Sequence, residues 1–329
     1  MPKLLLIATG DSLAQVRHST PPRVADAAEL LALAPADTDA RGLDLTVEPS
    51  WDTTPGSQLA IARHVRSALL DDAHDAVVVS HGLDTVEETA FLTDLVLAEA
   101  ADLGSVVFTG ALRALDDPAT DGPPNLRAAF TAALDPVTAG LGALLCADGE
   151  LHAARWATLA DTTRPPALSS APHDRLGRVE GGGAVLERRA PPRPPVARDL
   201  PETDVALVKT YPGMPVSVLT AVVDAGARGL VVEGTGAGNL PVELLLPLRE
   251  IISWDIPVVL ASRAATTGPP AVPPAGGALP VAALGLAARV GVLSAGGLRP
   301  GHARMALMAA LGSGGGVKAA RDYFAALCP

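Results

Sequence analysis

The sequence predicts an α/β protein built from two parallel-sheet units, and three observations predict it. Short, uninterrupted apolar runs alternate with amphipathic stretches along most of the chain, the order that lays helices over a parallel sheet. The runs end in glycine and small polar residues, as strand-to-helix loops do. The alternation breaks in a Pro- and Gly-rich stretch and then resumes. That break divides the chain into residues 1–200 and 201–329, with a linker over about 162–204.

Each element follows from its residues. Leu4 to Thr9 is a continuous apolar run and reads as a buried strand. Arg23 to Leu33 reads as a helix and Leu43 to Val47 as a strand. Gln58 to Leu70 is an amphipathic helix with Leu59, Ala62, Val65 and Leu69 on one face. The strand Ala76 to Ser80 precedes a helix from Val86, whose start is marked by Thr85 and Glu88 in capping-box spacing. Ser105 to Thr109 is another strand, and Asp121-Gly122-Pro123-Pro124 announces a helix through Ala133. Asp148-Gly149 between two apolar runs predicts a hairpin. Residues 162–204 read as loop or linker with one short hairpin. Strands at Val205–Lys209, Gly229–Glu233 and Pro257–Ala261 then alternate with helices ending at Ala225 and spanning Pro241–Ile252. Thr266 to Pro280 is rich in proline and glycine, and helices near His302–Leu311 and Val317–Leu327 close the chain.

Composition limits the function. Of 329 residues, 48% are hydrophobic and 19% charged, which excludes a disordered chain. Aromatics are only 3%, so Ala, Leu and Val must fill the core. The net charge of −11 argues against a nucleic-acid groove or an anionic membrane surface. Cys146 and Cys328 are too few for a disulfide framework or a cysteine zinc site. Leu4–Ala8 is too short for a secretory leader, and a soluble, cytoplasmic protein is predicted.

Loops after parallel strands gather at one sheet edge, where α/β proteins bind ligands. Here these are Thr9-Gly10-Asp11-Ser12, Ser80-His81-Gly82-Leu83-Asp84-Thr85, Thr109-Gly110-Ala111 and Gly234-Thr235-Gly236-Ala237-Gly238-Asn239. Glycines let backbone N–H groups approach a ligand, and the helix after Thr85 offers its positive end to a carboxylate. His81, Asp84, Glu87 and Glu88 have no second histidine nearby and do not make a metal site. Gly234–Gly238 imitates a dinucleotide fingerprint but lacks the acid expected after the next strand. Neither metal nor cofactor is predicted.

The segment Ser80-His81-Gly82-Leu83-Asp84-Thr85-Val86-Glu87-Glu88-Thr89-Ala90 resembles the "THGTDTMEETA" signature of bacterial L-asparaginases. Thr9–Ala14 is similar to that family's "TGGTIA", Thr109–Arg113 to "TGAMRP", Asp121–Leu126 to "ADGPxNL" and Glu150–Arg155 to "EIHAAR". Gly238-Asn239-Leu240 and Ser262-Arg263 resemble second-domain motifs. The likeness runs from end to end in the family's order. It implies a flavodoxin-like N-terminal domain, a smaller C-terminal α/β domain, and a homodimer or homotetramer with active sites between subunits.

The resemblance also assigns roles. The family's nucleophilic threonine aligns with Ser12, and contacts to the α-amino and α-carboxylate groups align with Ser50, Asp84 and Asn239. A neighbouring amide contact aligns with Trp51, and Ala111 matches the alanine whose carbonyl faces the leaving group. Asp11 stands where the family has glycine, and its carboxylate could orient the Ser12 hydroxyl or repel an acidic ligand. His81 belongs to the motif as a structural residue. The supporting threonine and lysine align with Leu83 and Leu159. The activating tyrosine has no counterpart, because the tyrosines are Tyr211 and Tyr323, and no acid occurs in 264–290 to serve as the glutamate. Two functions follow: a divergent amidohydrolase using Ser12 with weak or lost L-asparaginase activity, or a silent relative that binds a small amino acid or serves as a partner subunit. A nucleotide-binding protein is the third, disfavoured class.

Overall fold

Leu4, Leu6 and Ile7 send apolar side chains to both faces of one strand, which therefore belongs inside a sheet. The computed structural model describes residues 2–36, 38–197, 200–236, 238–264, 289–312 and 314–328, and it places that strand there. β1 (Lys3–Ala8) runs parallel between β2 (Asp39–Asp44) and β3 (Ala76–Ser80), with Ala8 opposite Asp44 on one side and Ser80 on the other. β4 (Ser105–Thr109) and β5 (Ala143–Ala147) extend the parallel set. β6 (Glu150–Ala153), β7 (Gly177–Glu180) and β8 (Gly183–Leu186) then add antiparallel strands. The order is β2-β1-β3-β4-β5-β6-β7-β8. Its first five strands follow the flavodoxin-like order, whose switch point lies between β1 and β3.

Four helices serve this sheet: α1 (Ala27–Leu31), α2 (Pro55–Leu70), α3 (Val86–Leu97) and α4 (Gly122–Leu134). The predicted face of α2 is buried at Leu59, Ala62, Val65 and Leu69, and burial of each larger side chain among them is worth roughly 1.5–3 kcal/mol. Thr54 caps α2 by accepting the Ser57 N–H, and Pro55 fills the position where its missing N–H is harmless. Asp148 and Gly149 both have positive φ, as the two-residue turn between β5 and β6 requires.

Three local expectations are corrected. The helix expected over Arg23–Leu33 is only α1, because Asp26 and Glu29 form a reciprocal capping box that starts it late. Arg23 and Val24 instead pair antiparallel with Gln15 and Val16. The strand expected at Leu43–Val47 lies earlier, as β2, since the edge position exposes most of it and leaves no buried run to read. At α3, Thr85 occupies the N-cap position but makes no side-chain cap; its hydroxyl donates to the Ser50 carbonyl at 2.8 Å. The capping box was the wrong use for this threonine, which ties two loops together.

The chain divides into two compact units, Met1–Arg193 and Pro194–Pro329. The Pro- and Gly-rich stretch carries the expected hairpin, β7 and β8, turned by Gly181 and Gly182 at positive φ. In the second unit β9 (Val205–Lys209), β10 (Gly229–Gly234), β11 (Val258–Ser262) and β12 (Leu293–Ser294) form a parallel sheet in that order. α5 (Ser217–Asp224) and α6 (Leu245–Ser253) contribute Leu219, Leu248 and Ile251 to its core, against Leu230, Val232 and Val258. α7 (Pro300–Leu311) and α8 (Val317–Leu327) complete it. The segment Thr266–Pro280, and with it most of the acid-free stretch 264–290, lies outside the described residues. Among the described residues no helix is long and apolar enough to cross a membrane.

Candidate active site

Two strand ends meet at the switch point. The Thr9 N–H donates to the Ser80 carbonyl at 3.2 Å, and the His81 N–H donates to the Thr109 carbonyl at 2.8 Å. These bonds bring the loops after β1, β3 and β4 side by side. Ser12 opens a short 3₁₀ turn, Ser12–Ala14, with Asp11 as its cap. Asp11 is buried and sits at φ 65°, in the left-handed region.

The Asp11 carboxylate organises this corner. One oxygen, Oδ1, accepts the Ser12 N–H at 2.6 Å and the Ser12 hydroxyl at 3.2 Å. The other, Oδ2, accepts the Ser50 N–H at 2.7 Å. Gly82 makes room for it: a Cβ there would lie 1.8 Å from Asp11 Oδ2 and 2.2 Å from Ser50 Oγ. Asp11, Ser12, Ser50 and Gly82 therefore form one contiguous group. The Ser50 hydroxyl is buried and has no hydrogen-bond partner among the described residues. A native buried polar group without a partner calls for an explanation, of which a ligand is one.

The next residues of the β3–α3 loop set the electrostatics. Asp84 stays exposed, yet desolvation of its inner side and then the Asp11 carboxylate raise its pKa above the ordinary 3.8. His81 is buried, which lowers its pKa; a hydrogen bond with the Gly82 carbonyl at 2.8 Å and the Asp11 charge pull the other way. It is held within the loop, consistent with a structural part. Leu83 is buried against Gly110, where an added Cβ would come within 2.8 Å of its Cδ2. At the other apolar replacement, the Leu159 N–H donates to Glu87 Oε2 at 2.9 Å.

Ala111 is buried in a loop that Asp121 and Asn125 fasten. Asp121 accepts the N–H groups of Leu112 and Arg113 at 2.8 and 3.0 Å, and Asn125 donates to the Gly110 carbonyl at 3.0 Å. Trp51 is 61% exposed and presents its ring to solvent rather than to the buried group around Asp11. Asn239 belongs to the second unit, in the turn after β10, where its N–H donates to the Thr235 carbonyl at 2.7 Å. His152, from the segment similar to "EIHAAR", is buried beside the Ser170 hydroxyl, and its pKa falls to about 4 chiefly through that burial. It is neutral at ordinary pH and part of the scaffold. Sequence reasoning did not single out Gly82, Asn125 or the Thr85–Ser50 tie. The sequence marked Gly82 only as one of the glycines of a strand-to-helix loop and Asn125 only as part of a family-like segment.

Fold and loop cluster together define a two-domain α/β protein with a polar corner at the carboxyl edge of a flavodoxin-like sheet. The chain matches the family models Asparaginase, N-terminal, over residues 3–192 and Glutaminase/Asparaginase C-terminal domain over residues 204–324; it belongs to the asparaginase family. It is 38% identical over 218 residues, 65% of each chain, to a "Probable L-asparaginase" of Deinococcus radiodurans. It is 29% identical over 226 residues, 65% of this chain and 52% of the relative, to a glutamyl-tRNA(Gln) amidotransferase subunit of Archaeoglobus fulgidus. The matched stretch spans less than two thirds of the length of either curated relative. The crystal structure of a probable cytoplasmic L-asparaginase from Campylobacter jejuni shares the fold, with a TM-score of 0.81 at 24% identity over 99% of this chain and 100% of that one.

Proposed function

We propose that the protein is a divergent amidohydrolase-like enzyme that cleaves a C–N bond in an Asn/Asp-like or other small α-amino acid derivative, with Ser12 as nucleophile. The observation that carries this reading is a half-buried serine hydroxyl hydrogen-bonded to a buried carboxylate, placed where flavodoxin-like sheets bind ligands. In this reading Asp84 takes the substrate ammonium and the Ser50 hydroxyl gains the partner it lacks. The start of α3 receives the α-carboxylate. Ala111, on its fastened loop, faces the leaving group. The assembly is a homodimer or homotetramer of a 33.3 kDa chain, and Asn239 serves a site that includes a neighbouring subunit.

Leu83 and Leu159 remove a hydroxyl and an ammonium that the family's chemistry uses, so L-asparagine itself is turned over weakly or not at all. Loss of one such group commonly lowers the rate about 10²–10⁴-fold. A panel of amides and esters of small α-amino acids, with L-asparagine included, tests this by release of amine or alcohol. The reading requires that some member of the panel be hydrolysed faster than L-asparagine. Hydrolysis of none, with an amino acid still bound, would favour the silent relative instead, a reading that the two leucines also suit.

Asp84 gives a second, independent check. Asp84→Ala should abolish binding of α-amino acids while changing stability only by the roughly 0.3–1 kcal/mol of a lost helix-dipole interaction. The pH dependence has a definite sign. The ammonium pairs with the ionised carboxyl, so binding weakens as pH falls through a midpoint above the ordinary 3.8, and Asp84→Asn removes that dependence. Calorimetric titration across pH reads both effects. Equal affinity in wild type and Asp84→Ala would remove Asp84 from the site.

A further inference from the structure

We propose that Asp11 is the catalytic base of this site, taking the proton from Ser12 as its oxygen attacks. The inference rests on the functional reading above and deepens it. The resemblance supplies no base here, since the tyrosine that would activate the hydroxyl has no counterpart. The only tyrosines, Tyr211 and Tyr323, are both in the second unit. Asp11 replaces a glycine of the motif and is the ionisable side chain hydrogen-bonded to the Ser12 hydroxyl, at 3.2 Å. That lies within the reach a general base needs.

Three features show that this carboxylate is held in place rather than tolerated. Its backbone is at φ 65°, a region that favours glycine and that other residues occupy at a cost when the surroundings fix them. Both oxygens are engaged, Oδ1 by Ser12 and Oδ2 by the Ser50 N–H at 2.7 Å. Gly82 leaves the space that the carboxylate fills. The carboxylate is buried, so a proton accepted there is shielded from bulk water until the leaving group takes it.

The step balances with water as the only co-reactant. Ser12 Oγ forms a bond to the carbonyl carbon, the C=O π pair moves to oxygen, and the hydroxyl proton passes to Asp11 Oδ1. As the C–N bond breaks, Asp11 returns that proton to the departing nitrogen, leaving an ester on Ser12. Water then attacks the ester, gives its proton to Asp11, and the C–Oγ bond breaks as Ser12 is reprotonated.

The competing role is plain: Asp11 caps the Ser12–Ala14 turn. Asparagine caps as well as aspartate and also accepts left-handed φ. Its Oδ1 keeps the Ser12 N–H, its NH2 cannot accept the Ser50 N–H, and it cannot take a proton. Asp11→Asn, with urea unfolding measured beside kcat to read the lost Ser50 bond, therefore separates the cap from the base. Asp11→Gly suits the backbone in any case and removes both cap and base. Wild type, both variants and Ser12→Ala would be assayed on the best substrate of the panel. Acylation of Ser12 by a p-nitrophenyl ester would be followed by intact mass. The expected result is a fall in kcat of about 10²–10⁴-fold in both Asp11 variants, with KM within about threefold and acylation slowed in parallel. If either Asp11 variant keeps more than a third of the wild-type kcat while Ser12→Ala loses it, Asp11 is not the base and the functional reading stands. If wild type neither turns over nor is acylated, both fall together.

Discussion

Replacing Ser12 by alanine is expected to lower hydrolysis by about 10⁴–10⁶-fold, the scale on which enzymes lose rate when a nucleophile is removed, and to leave the fold intact. The fold should survive because the residue's structural bond is made by its backbone: the Ser12 N–H donates to Asp11 at 2.6 Å, and alanine keeps that donor. The lost hydroxyl hydrogen bond is partly exposed, so the stability change should stay within about 1 kcal/mol. Ligand affinity should also persist, since Asp84 and Ser50 are untouched. The separation of rate from binding is what identifies a nucleophile. Turnover in Ser12→Ala above a tenth of wild type would mean that water or another residue attacks. Ser12→Thr, which keeps the hydroxyl and reproduces the threonine of the family motif, should keep measurable activity.

The fold was legible where its strands are buried on both faces. β3 and β4 lie where they were expected, at Ala76–Ser80 and Ser105–Thr109, and every residue in them is buried. β9 also lies where expected, at Val205–Lys209, although Leu207 and Lys209 are exposed. β2 was displaced for the opposite reason: Asp39, Arg41, Gly42 and Asp44 are exposed at the sheet edge, and such a strand has no apolar signature. The candidate site was legible only where a motif names its residues. Ser12, Asp84 and Ala111 come from loops that the sequence marks with glycine, and the structure brings those loops to one sheet edge. What no periodicity encodes is the use of a polar side chain over distance. Thr85 sits at a helix start and has capping chemistry, yet its hydroxyl reaches Ser50, 35 positions away. Asn125 lies inside α4 and holds both the Gly110 carbonyl and the Asp148 N–H. These long-range ties depend on strand order, which fixes which loops are neighbours.

Gly82→Ala is the substitution expected to damage this corner most for its size. The added methyl would start 1.8 Å from Asp11 Oδ2, 2.4 Å from Asp11 Cγ and 2.2 Å from Ser50 Oγ. The Ser50 hydroxyl, lacking a partner, is able to rotate away. The Asp11 carboxylate is not, because leaving would break its bonds to the Ser12 and Ser50 N–H groups and strand those donors in a buried corner. Overpacking of this kind typically costs about 1–3 kcal/mol, so a loss of about 2–3 kcal/mol in urea unfolding is expected, together with loss of activity. The cause is separable from any generic effect of alanine in the loop. If the clash with Asp11 is responsible, Asp11→Gly removes the obstructing carboxylate, and the double variant should recover more than about 1 kcal/mol relative to the sum of the single changes, an interaction energy of the size found for residues in direct contact. A strictly additive cycle would show that Gly82 and Asp11 do not share this space in solution. Because the readout is stability, the cycle stands whether or not Asp11 also moves a proton.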